Sequence, residues 1–296
     1  MAKLNKSLVT LARQAGGSFK TVSDRMKIAD RLADRLLKMN IQIRDATNLK
    51  TNHIAMYIQS RLAEDISKRT LQNEMAAIRA VLSTAGKTFM ANPQNENLSN
   101  AALGISGTSR DGTKVAIPDD VYNDTLNKVR GVDAGAAIAM ELSRNLGLRT
   151  EETMQSVKSL MTWKKAILAG KEKITVVFGT KGGRARDTTI INRNDLLIVV
   201  NNAINFINNN NGKLIDRPGI HLAIERYRNV VRDAGLVGIY APHSLRYAYS
   251  RDAMKHHAEN GFSQKESEAL VSMDLGHGDG RGHYVARVYN KNETSL

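Results

Sequence analysis

The chain has no cysteine. That excludes a disulfide framework, a thiolate metal site and a cysteine nucleophile together, and it points to a reducing compartment. The first residues, Met1 to Gly17, lack the apolar core segment of a secretory signal, and no run approaches the roughly 18 apolar residues of a membrane span. The expected location is therefore cytoplasmic, with no membrane partner. Nucleotide and hydrolase signatures are missing as well. There is no Walker A sequence, no GxSxG elbow and no HExxH pair. The glycine-rich run from Gly276 to Gly282 follows a helical stretch rather than a strand, so it does not read as a dinucleotide site. A metal held by His277, Asp279 and His283 has neither helical ligand spacing nor cysteine to support it.

What the sequence does carry is length, apolar content and positive charge. With 296 residues, 42% hydrophobic and 24% charged, it can bury a sizeable core and should fold as two domains. Lys and Arg number 43 against 29 Asp and Glu, a net charge of +14. Such an excess suits a polyanion, because each phosphate neutralised releases condensed counterions, and nucleic acid leads the candidates. The first 110 residues hold +9 of this charge.

The first third reads as a helical bundle. Val22, Met26, Ala29, Ala33 and Leu36 line one helix face, Ile54, Ile58 and Leu62 a second, and Leu71, Met75, Ile78 and Leu82 a third that stops near Gly86. From Asn92 to Lys114, Pro93, four asparagines and three glycines read as a linker. The predicted organisation is residues 1–91 as a basic helical domain suited to DNA, 92–116 as linker and 117–296 as a second domain. That domain opens with Pro118 and Asp119 and carries a helix from Asp133 to Gly147. Ile174 to Phe178 and Arg186 to Asn192 read as two strands of a hairpin with Lys181 near its tip. Helices follow over 195–208, 221–234, 244–259 and 264–273, so the fold class is mainly α with a small β-sheet.

The polar residues that stand out are dispersed: Gly-Leu-Arg-Thr-Glu-Glu at 147–152, Thr-Lys-Gly-Gly-Arg-Ala-Arg at 180–186, His-Ser-Leu-Arg at 243–246, Leu-Gly-His at 275–277 and Val-Tyr at 288–289. Each alone has a plain reading. Arg149 and Arg246 could be surface ion pairs, Glu152 an i,i+3 partner of Arg149, His243 a helix cap, His277 a loop residue and Lys181 a solvated lysine. In this order, however, they resemble the tyrosine recombinases, the group of the lambda integrase, Cre and Xer proteins, most closely the integrases of mobile elements.

The resemblance implies a two-domain clamp, residues 1–91 as a helical core-binding (SAM-like) DNA-binding domain and 117–296 as a mixed α/β catalytic domain. It assigns the catalytic roles to Arg149, Lys181, His243, Arg246, His277 and Tyr289, with Glu152 in support. Two guanidiniums would stabilise the charge that builds on the phosphate oxygens, a phenol would attack phosphorus, and the hairpin lysine would protonate the leaving oxygen. His243 would assist proton transfer, and His277 would donate to a phosphate oxygen. No metal or other cofactor enters this chemistry. The implied activity is site-specific recombination through a 3′-phosphotyrosine link and a Holliday junction, integrating or excising a mobile element. The implied partners are double-stranded recombination sites, a homotetramer on that DNA, and a directionality or DNA-bending accessory factor, within a bacterial cell or nucleoid. A type IB topoisomerase and a catalytically silent DNA-binding accessory protein are the alternatives. Further DNA contacts are expected from Arg184, Arg186, Arg25, Arg35, Lys68 and Arg69. Tyr289 lies twelve residues after His277, a longer gap than is usual in the family, and Tyr284 lies seven after it. Val285 and Val288 mark a short helical turn before Tyr289 and favour it over Tyr284 as the nucleophile. Only about twenty residues precede the first helix of this reading, which implies a simple-site enzyme without an arm-binding domain.

Overall fold

A computed structural model describes residues 3–109 and 111–290. The chain forms two compact units, Met1–Arg110 and Asp111–Leu296.

The first unit is helical: α1 Lys3–Gln14, α2 Phe19–Lys38, α3 Thr51–Leu62, α4 Lys68–Thr84 and the single turn α5 Thr88–Ala91. Helix α1 precedes the first helix expected from the sequence. Its Leu4, Leu8 and Ala12 fall one turn apart, and all are buried. They join Leu32, Leu36, Ile54, Ile58, Leu71, Met75 and Leu82 in one core, each leucine contributing about 2 kcal/mol by leaving water. Ser18 caps α2 and Ser67 caps α4, each hydroxyl accepting from a backbone N–H three residues on. Glu74 is buried at the centre of the bundle, where it accepts from Tyr57 Oη at 2.7 Å, Arg61 Nη2 at 3.0 Å and Arg31 Nη1 at 2.5 Å.

Much of the stretch expected as a linker is folded into this unit. Leu98, Leu103 and Ile105 are buried in its core. The Asn95 side chain donates to the Phe89 carbonyl and accepts from Leu98 N, while Arg79 donates to the Leu98 carbonyl at 2.8 Å. Asparagine here satisfies turn backbone instead of marking a flexible tether.

The second unit comprises α6 Asp119–Val132, α7 Ala134–Leu146, α8 Thr150–Gln155, α9 Leu160–Leu168, β1 Lys173–Val176, β2 Arg186–Thr189, α10 Arg193–Asn208, α11 Ile220–Asp233, α12 Ser244–Glu259, α13 Gln264–Asp274 and α14 Gly282–Val288. Small residues of α7, among them Ala136 and Ala139, let α10 and α12 pack closely on it. Trp163 of α9 is buried and donates its indole N–H to the Thr175 carbonyl at 2.8 Å, which ties α9 to the hairpin. Strands β1 and β2 pair antiparallel, Ile174 opposite Thr188 and Val176 opposite Arg186. The second strand ends earlier than expected because Asn192 turns the chain to cap α10. A separate cluster of Tyr247, Tyr249, Val271, Leu275, Val285, Val288 and Tyr289 packs α12, α13 and α14 together and fixes the end of the chain that carries Tyr289. No helix among the described residues is long and apolar enough to cross a membrane.

Candidate active site

Helix α7 ends at Gly147, whose backbone is left-handed at φ 58°. An added Cβ there would meet the Tyr249 ring at 2.5 Å, so the turn requires glycine on both counts. The turn delivers Arg149 to the start of α8, where its N–H donates to Glu152 Oε2 at 2.9 Å and its Nη1 donates to Oε1 at 2.6 Å. Glu152 is fully buried and also accepts from Arg186 Nη2 at 2.8 Å, while Arg246 Nη1 stands at 3.9 Å. Burial alone would raise its carboxyl, but Arg186, Arg246 and Arg149 outweigh that and hold it down to about 2.

Two helix C-termini face the same guanidiniums. The Gly147 carbonyl, just past α7, accepts from Arg246 and from Arg186. At the end of α13, the carbonyl of its last residue, Asp274, accepts from Arg186, and that of its C-cap Leu275 accepts from Arg246 and from Arg149 at 3.1 Å. Carbonyls at helix ends carry partial negative charge, which explains how three guanidiniums crowd around a single carboxylate.

Tyr289 follows α14 and is 4% exposed. Its hydroxyl lies 3.1 Å from His277 Nε2 and 3.4 Å from Arg246 Nε, and its ring covers the fully buried Arg246 guanidinium at 5.9 Å. His243, at the start of α12, has its ring 6.1 Å from that of Tyr289. Both imidazoles are held uncharged. Desolvation by the surrounding protein, then the charges of Arg246 and Arg149, push His243 down to about 4 and His277 to about 3. Tyr247 packs its ring against Tyr289 at 4.5 Å, and burial raises its phenol.

Arg149, Lys181, His243, His277 and Tyr289 line one cleft of about 1010 Å³, together with Lys173, Arg184, Arg281 and Tyr284. Arg246 sits behind Tyr289 at its wall. Lys181 lies in an exposed 3₁₀ turn, Lys181–Gly183, in the hairpin loop. Six dispersed residues are thus brought to one place. The histidine against the Tyr289 hydroxyl is His277, where His243 was expected to handle the proton. Tyr284 is the more exposed of the two tyrosines, its ring 4.8 Å from His277.

Arg186 is not placed as a DNA contact. It is 6% exposed, because β2 turns its side chain to the same face as Thr188, into the protein. Arg184 is exposed. In the first unit, Arg25 does not extend outward: it donates to the Ala12 and Gly16 carbonyls and caps α1. Arg35 pairs with Glu64, and Lys68 and Arg69 are exposed at the start of α4. Sequence reasoning missed Asp274, which is buried, with Lys173 Nζ at 3.2 Å and Tyr249 Oη at 3.2 Å. An acid directly before the Leu-Gly-His stretch was the available signal.

A family model described as Integrase matches residues 104–252, half of the chain, and one described as Phage integrase, N-terminal matches residues 1–91. Arg149, Lys181, His243 and Arg246 fall within the first match, and His277 and Tyr289 lie beyond it. No curated protein sequence matches the chain. Among solved structures, a lambda integrase dimer bound to a COC′ core site is similar at TM-score 0.59 and 16% identity, covering 98% of this chain and 79% of that one. XerH site-specific recombinase bound to a difH substrate is similar at TM-score 0.58 and 12% identity, covering 96% and 82%. The Tn1549 transposon integrase in complex with transposon right end DNA is similar at TM-score 0.57 and 12% identity, covering 98% and 96%. At these identities the likeness is one of fold. The two family matches carry the assignment further: the chain belongs to the phage integrase family and is a tyrosine site-specific recombinase.

Proposed function

We propose that this recombinase cleaves and rejoins double-stranded DNA at its recombination sites through a 3′-phosphotyrosine link at Tyr289, acting as a tetramer that passes through a Holliday junction to integrate or excise a mobile element. The observation that carries the reading is the Tyr289 hydroxyl, held between His277 Nε2 and Arg246 Nε in a cleft also lined by Arg149, His243 and Lys181. The structures similar to this chain include a lambda integrase tetramer bound to a Holliday junction, which supports the assembly.

In the proposed step the scissile phosphate enters the cleft and takes the place of the Tyr289 ring against Arg246. The phenolic oxygen attacks phosphorus while its proton passes to a neutral imidazole, His277 in this geometry. Arg149 and Arg246 offer forked donors to the non-bridging oxygens, where charge builds in the transition state. His243 reaches the same phosphate from the start of α12. The P–O bond to the 5′ oxygen breaks, and Lys181 from the hairpin loop gives that oxygen its proton. The phosphodiester energy is kept in the Tyr–phosphate bond. A 5′ hydroxyl of the partner duplex then attacks phosphorus and gives its proton to Lys181, and the phenol takes its proton back from His277 as the Tyr–phosphate bond breaks. Arg184, Lys68 and Arg69 add backbone phosphate contacts, so binding weakens steeply with salt.

The test is a duplex nicked beside the cleavage position, which traps the covalent adduct by losing the short 5′ fragment. Mass spectrometry of the DNA-linked peptide is expected to place the phosphate on Tyr289, and Tyr289→Phe should bind the duplex without becoming trapped. A link to Tyr284, or trapping by the phenylalanine variant, would overturn the assignment. Relaxation of supercoiled DNA with no recombinant product would point instead to topoisomerase activity.

A further inference from the structure

We infer that Arg186 is a positioning residue that keeps Arg246 free of Glu152, so that the Arg246 charge stays available to the scissile phosphate. The inference rests on the function proposed above.

Arg186 shares its acceptors with the two arginines assigned to the phosphate. Its Nη2 donates to Glu152 Oε2 at 2.8 Å and to the Gly147 carbonyl at 3.2 Å, and its Nη1 donates to the Asp274 carbonyl. Glu152 also holds Arg149, the Gly147 carbonyl also holds Arg246, and Leu275, next to Asp274, holds both. One buried side chain therefore spans the start of α8, the end of α7 and the end of α13, the three places that orient Arg149 and Arg246.

The distances at Glu152 show what this achieves. Arg186 occupies Oε2 at hydrogen-bond length, and Arg246 Nη1 is left 3.9 Å from that same oxygen. A guanidinium in direct contact with a buried carboxylate gains a strong charge-assisted bond, which a phosphate would have to displace. With Oε2 already taken, Arg246 turns to two neutral carbonyls and keeps its Nε toward Tyr289. Removing Arg186 vacates Oε2 and lets Arg246 close onto Glu152. The close approach of Gly276, where an added Cβ would meet Arg186 Cδ at 2.8 Å, holds the side chain on this course.

The experiment compares trapping rates on the nicked duplex for wild type, Arg186→Gln, Arg186→Gln with Glu152→Gln, and Arg186→Lys, with duplex affinity measured for each. Arg186→Gln is expected to slow trapping about 100-fold at unchanged affinity, the scale of a reacting group misplaced by about 1 Å. Adding Glu152→Gln removes the carboxylate that captures Arg246 and should restore about tenfold of that loss. A residue that only holds the fold would show no such rescue. Arg186→Lys keeps the charge but cannot span three acceptors, so it should be slowed as well, and it serves in place of the glutamine variant if that one does not fold. Wild-type trapping by Arg186→Gln or Arg186→Lys, a double variant no faster than the single, or a loss explained by weaker binding would each overturn the inference. Failure of the wild-type protein itself to be trapped refutes the proposed function instead.

Discussion

The Tyr289 hydroxyl and His277 Nε2 are 3.1 Å apart, and this contact orders the phenol in the free protein. With its pKa held down to about 3, His277 is uncharged at neutral pH, and in the tautomer that leaves Nε2 unprotonated it accepts from the phenol, while Arg246 Nε donates to the phenolic oxygen. The His243 ring lies 6.1 Å from that of Tyr289. His277→Asn is therefore expected to slow trapping on a nicked duplex by about 100-fold or more, and His243→Asn by less, at matched DNA affinity. Single-turnover rates check this. The reverse ranking would mean that His243 takes the proton once DNA is bound.

Glu152 is the shared counter-charge of Arg149, Arg186 and Arg246, and Glu152→Gln leaves buried cations without it. Breaking a buried pair in this way costs about 3–5 kcal/mol. The cost has a defined pH dependence. The native carboxyl, at about 2, lies below its ordinary 4.5, so its contribution is complete above pH 4.5 and is lost as pH falls toward 2. Urea denaturation at pH 7 should show a clearly lower midpoint for the glutamine variant, and the gap to wild type should narrow below pH 4.5. A gap of constant size at both pH values would show that the carboxylate charge is not what stabilises this cluster.

Period-based reading succeeded where one face of an element is apolar. Helices α2, α3 and α4, the hairpin, and the pairing of Arg149 with Glu152 across one turn all follow from spacing. Helix α1 has the same signature, with Leu4, Leu8 and Ala12 at intervals of four, but a terminal segment of mixed polarity attracts no attention until its partners are known. Helices α8 and α9 were missed because they are short, and α8 buries Glu152 beside Thr153 and Met154. Arg186 shows the limit most clearly. A basic run beside a hairpin reads as solvent-facing, yet strand alternation puts Arg186 with Thr188 on the face that Ile174 and Val176 also line. Buried cations need acceptors that no local pattern displays. Those of Arg186 come from the ends of α7 and α13 and from α8, at positions 34 to 88 residues away from it in sequence.

Gly112 is pressed against the end of α14, directly before Tyr289. An added Cβ would stand 2.2 Å from the Val288 carbonyl oxygen and 2.9 Å from Tyr247 Oη, although the backbone there is not in the left-handed region. Beside it, Asp111 pairs with Arg287 of α14 at 3.2 Å. Gly112→Ala must therefore displace either its own segment or the residue preceding Tyr289. Trapping is expected to fall about tenfold or more with DNA affinity retained. Arg287→Ala removes only a half-exposed ion pair and should stay within about 1 kcal/mol of wild type in stability. Trapping kinetics and thermal melts separate the two. An alanine at 112 that leaves the trapping rate unchanged would show that this contact does not position Tyr289.

The two imidazoles of the cleft make the protein sensitive to mild acid. In the unfolded chain a histidine binds its proton near pH 6.5, whereas native His243 and His277 resist protonation down to about 4 and about 3. Between pH 6.5 and about pH 5 the unfolded state thus takes up protons that the native state refuses, and stability must fall as pH drops through that window. Glutamate and aspartate titrate mainly below it, so the slope there belongs to histidine. His277→Gln is expected to flatten the fall in melting temperature between pH 7 and pH 5, and the double variant with His243→Gln to flatten it further. Bound DNA should act in the same direction, because a phosphate beside the imidazoles supplies the negative charge that favours their protonation. Parallel curves for wild type and both variants would mean that the acid sensitivity arises from histidines elsewhere in the chain.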